Sequence, residues 1–235
     1  MSGEILNCIV LKVIPIIIVF SLSVFVAGQN SVTKEKLVIM DKETLAKRVE
    51  TISEELGGIV RSDATTVEKI ETPFLRNGAI YRVAHLGKYR PMGFTVGIAE
   101  PDFTVLLPLN PKGFMELKEK AQIELSDSAD ERLKYVISFL EATRSFSQKF
   151  QILHKFDDID LIPKPSDEEM EGYEKLKGKY VKLIEPPHFA DDSKVVVFAI
   201  KQQSLVKIEG AVASNGDIKT SEDVLEPKLP IAFTY

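Results

Sequence analysis

Apolar positions along this chain change their spacing from segment to segment, and each change marks a different element. Residues 13–27 form an almost unbroken apolar run. From Asp41 onward, Leu45, Val49, Ile52 and Leu56 recur at helical spacing, which predicts an amphipathic helix capped by Asp41 and ended by Gly57-Gly58. The period then falls to two. Segments 65–71, 79–86, 94–99 and 103–109 are short and rich in Val, Ile, Thr, Phe and Tyr, and turn residues at 73–78, 87–93 and 100–102 separate them. Connections this short suit antiparallel neighbours, because parallel pairs need long crossovers.

Helical spacing returns at 111–122, with Asn110 as cap and Pro111 in the first turn, and again at about 129–143. In the second of these, Ser128 and Glu131 have the spacing of a capping box, and Leu133, Val136, Ile137 and Leu140 make the apolar stripe. Ser166 and Glu169 open a shorter helix that is expected to stop at Gly178. The continuous apolar run 195–200 predicts a central strand covered on both faces. Gln202-Gln203 links it to a strand at 204–213, Asn215-Gly216 predicts a hairpin, and strands at 217–224 and 230–234 complete the meander.

The fold class expected is α+β, with mainly antiparallel sheet and helices packed on one face. One sheet backed by helices and two similar subdomains meeting near residue 125 both fit, with 41–125 holding the first helix and meander and 126–235 the second. The echo between Glu71-Thr-Pro-Phe and Glu185-Pro-Pro-His is too slight to establish duplication.

The N-terminus reads as an address. Lys12 precedes the apolar run, Val26 and Gly28 stand at the small-residue positions, and polar residues follow from Gln29. This is the layout of a secretory signal peptide over 1–28, with 29–40 as a tether. Fifteen helical residues reach about 22 Å, short of the roughly 30 Å hydrocarbon core. An uncleaved anchor over 9–28 is the alternative, and it would be the chain's one membrane contact. The expected location is therefore periplasmic or extracellular.

Composition narrows the chemistry. Removing 1–28 takes away Glu4 and Lys12 together, so the net charge stays at −5, which argues against a general nucleic-acid binder. The single cysteine, Cys8, lies in the leader, so disulfides, thiolate zinc sites and cysteine nucleophiles are excluded from the rest. There is no nucleophile elbow, phosphate loop, dinucleotide fingerprint or His-Glu-x-x-His pattern. The one Ser-x-x-Lys match, Ser31 to Lys34, falls in the tether. No cofactor and no metal is implied.

Two constellations remain. From 72 to 99 there is no Asp or Glu, while Arg76, Arg82, Lys88 and Arg90 stand with His85, Tyr81 and Tyr89, giving +4 in a protein of −5. Guanidinium forks beside tyrosines on strands and turns suit a phosphate, carboxylate or anionic glycan. Outward strand positions facing the acidic stretch 157–174 are the plainer reading. The second constellation is His188, which lies between Glu185 and the pair Asp191 and Asp192 in a proline-stiffened turn; a neighbouring carboxylate can orient an imidazole as a general base. A loop histidine with solvated acidic neighbours is the plainer reading. Phe139, Phe146, Phe150 and Tyr135 line either a pocket or the core.

The leading expectation is thus an exported, non-enzymatic envelope binding or interaction module. Its surface would be Arg76, Arg82, His85, Lys88, Tyr89 and Arg90, and its partner an anionic small molecule, a glycan or a protein. A hydrolase or isomerase using His188 with Glu185, Asp191 or Asp192 is the alternative. A structural envelope protein whose oppositely charged segments pair between copies is a third.

Overall fold

A computed structural model describes residues 40–87, 91–160, 162, 164–191 and 193–231. The expected signal peptide, most of the expected tether and most of the strand expected at 230–234 lie outside the described residues. Described are five α-helices and nine strands in an α+β arrangement of two antiparallel sheets. No described helix is long and apolar enough to cross a membrane.

The chain opens with α1 (Lys42–Glu50) and α2 (Glu54–Arg61). Here the expected single helix to Leu56 is corrected. The Ser53 side chain accepts the Leu56 N–H and starts a new helix, so Ile52 falls in the connection and is exposed. Gly57 and Gly58 sit inside α2 and do not end it. A Cβ on Gly57 would lie 3.0 Å from the Ala46 carbonyl oxygen of α1 and nearer still to Glu50. The glycine is there for close helix approach.

The first sheet runs β1 (Thr65–Ile70), β2 (Gly78–Leu86), β3 (Pro91–Ala99), β4 (Phe103–Leu106), in sequence order and antiparallel throughout. Then come α3 (Pro111–Lys120), capped by the Asn110 side chain on the Gly113 N–H, and α4 (Ala129–Thr143). The capping box expected at Ser128 is absent. Glu131 instead accepts from the N–H and hydroxyl of Ser126. Next are β5 (Phe150–Leu153), a 3-10 turn (Phe156–Asp158), and α5 (Asp167–Tyr180), whose Ser166–Glu169 capping box is present and which runs past Gly178. Last are β6 (His188–Phe189), β7 (Lys194–Lys201), β8 (Ser204–Val212) and β9 (Ile218–Glu226). The second sheet has the order β5-β7-β8-β9, and β6 shares with β5 the edge of β7 opposite β8. The β8–β9 hairpin closes on a three-residue loop. Gly216 stands at φ +80° between the Ala213 and Asp217 pair.

Helices cover both faces of each sheet, which corrects the expectation of a single helical face. Alternate residues of β2 and β3 are apolar in both directions. Ala79, Tyr81, Val83, Phe94, Val96 and Ile98 pack with Leu45, Val49 and Val60 of α1 and α2. Ile80 and Ala99 point the other way, into a core shared by α3, α4 and the Val195, Val197 and Ala199 face of β7. The reverse face of β7, with Val196, Phe198 and Ile200, packs against Tyr180 of α5, Leu153 and Phe156. The described residues form one compact unit, and α3 and α4 pack against both of its sheets.

Candidate functional site

The last turn of α4 ends at the rim of a cleft of about 200 Å³. Leu140 and Thr143 of α4, Arg144, Gln148 and Lys149 of the following segment, and Phe150 at the start of β5 form one wall. Lys201 of β7, Ile208 of β8, and Thr220, Ser221 and Glu222 of β9 form the floor. The register places Ile208 opposite Glu222, and paired residues share a face, so this floor is the α4-facing side of the second sheet. α4 packs against β6 and β8, and the cleft opens where its last turn gives way to the segment leading to β5. Leu109, at φ 56°, stands at the lip.

Cations dominate the charge here. The Lys201 ammonium meets the Glu222 carboxylate at 2.8 Å. Arg144 has no described carboxylate within ion-pair distance. It donates to the Phe150 carbonyl oxygen at 3.2 Å and lies over the Phe146 ring at 5.1 Å, and its Nε is buried without a hydrogen-bond partner. Burial pulls its pKa below the ordinary guanidinium value, the neighbouring Arg82 adds to this, and Glu141 partly offsets it. Lys149 makes no ion pair with any described residue. One carboxylate therefore faces three cations around a concave surface in a protein of net charge −5. A further negative charge would be stabilised there.

Of the basic residues singled out from the sequence, Arg82 is the one that reaches α4. It lies opposite Glu68 on β1 and reaches Glu68 at 3.2 Å and Glu141 of α4 at 3.3 Å. Arg76, in the β1–β2 connection, is paired with Glu124. His85 points to the opposite face from Arg82, as residues three apart on a strand must, and its Nδ1 is 2.8 Å from the Thr65 hydroxyl oxygen. That hydroxyl already donates to the Ile59 carbonyl oxygen at 2.6 Å, so His85 Nδ1 carries the proton. Arg76, Arg82 and His85 are not brought together on one face. Lys88, Tyr89 and Arg90 lie outside the described residues.

His188 sits on β6 with Nδ1 donating to the Pro186 carbonyl oxygen at 2.9 Å and Glu185 at 3.9 Å. Asp191 accepts from the backbone N–H groups of Ser193 and Lys194 at 2.9 and 2.8 Å, which holds its carboxyl below the usual range. Its carboxylate holds the turn into β7. Asp192 lies outside the described residues. Neither His188 nor Glu185 lines the cleft.

The acidic stretch has structural duties. Asp158 accepts from the His154 and Lys155 N–H groups, Asp157 pairs with Lys177 at 3.4 Å, and Glu169 caps α5. No metal-holding group of His, Cys, Asp or Glu occurs among the described residues.

Arg144 and Lys149 escaped sequence reasoning although 142–156 holds no Asp or Glu, because the stretch is short, and Lys201 because it only closes an apolar strand. The nearest signal was Phe150, which lines the cleft, and Phe146, on which Arg144 lies. No protein-family model, no curated protein and no solved structure matches this chain.

Proposed function

We propose that this protein is an exported, non-enzymatic binding module whose ligand is a small anion held in the cleft beyond the end of α4. The observation that carries this reading is Arg144, partly buried at a concave surface with no described carboxylate partner. Its planar fork and the Lys149 ammonium match a carboxylate or phosphate group. Export rests on the pattern of residues 1–28, and an uncleaved segment would tether the module at the envelope. An acidic side chain of a protein partner, or an anionic glycan, would use the same cations.

The hydrolase or isomerase reading has less behind it. His188 Nδ1 is oriented by a backbone carbonyl, but its carboxylate neighbours either stand 3.9 Å away or are engaged with backbone N–H groups. General acid–base work needs a second group converging on a substrate pocket, and neither Glu185 nor Asp191 does so among the described residues.

Thermal melting with phosphate, citrate, glucuronate and short carboxylates tests the proposal. A ligand at one hundred times its Kd adds about 2.7 kcal/mol, which is a rise of roughly 5 °C or more for a chain of this size. The expected outcome is a rise with at least one anion that is lost in Arg144→Gln. A rise that survives Arg144→Gln moves the site elsewhere, and no rise with any anion sinks the reading.

A further inference from the structure

The lip of the cleft is built unlike its walls. Leu109 adopts φ 56°, the left-handed region that glycine favours and leucine rarely enters, and its side chain is 74% exposed. The conformation is held in place, because the Leu109 N–H donates to the Thr143 carbonyl oxygen at the end of α4 at 2.8 Å. Strain of this kind collects at ligand clamps, where it fixes a side chain in a position it would not otherwise keep. Beside the cations the cleft is also lined by Leu140, Phe150 and Ile208. A bare inorganic ion would use none of that apolar surface.

We propose that the cleft takes a small amphiphilic anion, one carboxylate or phosphate head on a short apolar body, and selects it by that body. This rests on the anion-binding reading above and narrows it. The head sits against Arg144 and Lys149, and the body lies over Leu140, Phe150 and Ile208 beneath Leu109. A volume of about 200 Å³ is below that of drug-sized pockets, so the body is a short alkyl chain or a single ring.

Amide-shift titrations of the full chain with acetate and hexanoate test this, since the two acids differ only in methylene groups. Each buried methylene strengthens binding about fourfold, so burying two or more makes hexanoate more than about tenfold tighter. The expected result is that preference, its collapse in Leu109→Gly, and loss of both acids in Arg144→Gln. Glycine suits the backbone at 109, so that variant folds, and its melting curve verifies this. Equal binding of the two acids, abolished by Arg144→Gln, overturns the amphiphile inference while the anion site stands. Hexanoate binding that survives Arg144→Gln, or no binding at all, overturns both.

Discussion

Gly57 and Gly58 are neighbours in one helix, yet substitution should move stability in opposite directions. Glycine inside a helix costs about 1 kcal/mol relative to alanine, so alanine brings a gain wherever its methyl group has room. Nothing lies within 4 Å of a Cβ on Gly58, and Gly58→Ala is expected to stabilise by roughly 0.5–1 kcal/mol. A Cβ on Gly57 would collide with Glu50 Cγ and press on the Ala46 carbonyl oxygen. Glu50 also holds Arg61, so pushing it aside disturbs the ion pair that ties α1 to the end of α2. Overpacking costs about 1–3 kcal/mol, which exceeds the propensity gain, and Gly57→Ala is expected to destabilise by about 1 kcal/mol. Denaturant melts of the two variants decide it. Shifts of the same sign would mean the two helices are not in close contact at Gly57. The glycine pair is visible in the sequence, but its role is not. A helix end and a helix contact both want glycine, and only the Ser53 cap four residues before Gly57 separates the two.

At the scale of elements, α3 and α4 are both fastened to the β8–β9 loop. Tyr135 of α4 donates to the Gly216 carbonyl oxygen at 2.6 Å. Lys118 of α3 is buried, and its ammonium reaches the Asn215 carbonyl oxygen at 3.2 Å and the half-exposed Asp217 carboxylate. The pair is asymmetric, which gives an ordered prediction. Removing the carboxylate leaves a buried ammonium without its counter-charge, whereas removing the ammonium leaves a carboxylate that water can solvate. Asp217→Ala should therefore lower the melting temperature more than Lys118→Met. The pH dependence follows from the same pair. The hydrogen bonds from Lys118 and then Asn215 hold Asp217 below its ordinary value of 3.8. Its contribution is complete above that value and is lost as pH falls through the lower folded-state pKa. The gap between wild type and Asp217→Ala should close in acid; a constant gap would show that the carboxylate's charge is not what matters. Most elements here were legible: β1 to β3, α3 and α4 each carry several repeats of a period, turn residues bracket β4, and the Ser166–Glu169 capping box marks α5. The second sheet's β5 and β6 were not, being four and two residues long. A period of two cannot be read from so few positions. The site was less legible still. Its lining comes from 109, 140–150, 201, 208 and 220–222, and only the return of β7 to β9 past the end of α4 assembles it.

For the molecule as a whole, the order helix, meander, helices, meander leaves one domain and two subdomains equally open, because α3 and α4 could back either sheet. In the folded chain they meet both. Ile80 and Ala99 of the first sheet, Phe114 and Leu117 of α3, Tyr135, Val136 and Phe139 of α4, and Val195, Val197 and Ala199 of the second sheet belong to one continuous core. Cutting the chain near residue 125 would expose the α3 surface on one side and the α4 surface on the other. Each piece keeps its outer layer but loses its half of the shared core, and an apolar face uncovered in that way collapses or aggregates. The chain is therefore expected to unfold in a single cooperative transition. At about 0.7 kcal/mol per residue near 60 °C, the ordered part should absorb roughly 130 kcal/mol in that transition. Calorimetry provides the check: the van't Hoff and calorimetric enthalpies should agree, giving a ratio of about one. Two resolved transitions of roughly half that enthalpy each would show that the sheets fold separately. So would a piece 41–125 that melts cooperatively by itself. In either case the core between the sheets would be a docking contact, and the cleft, built only from the second half and Leu109, would persist in a fragment that keeps 126–235.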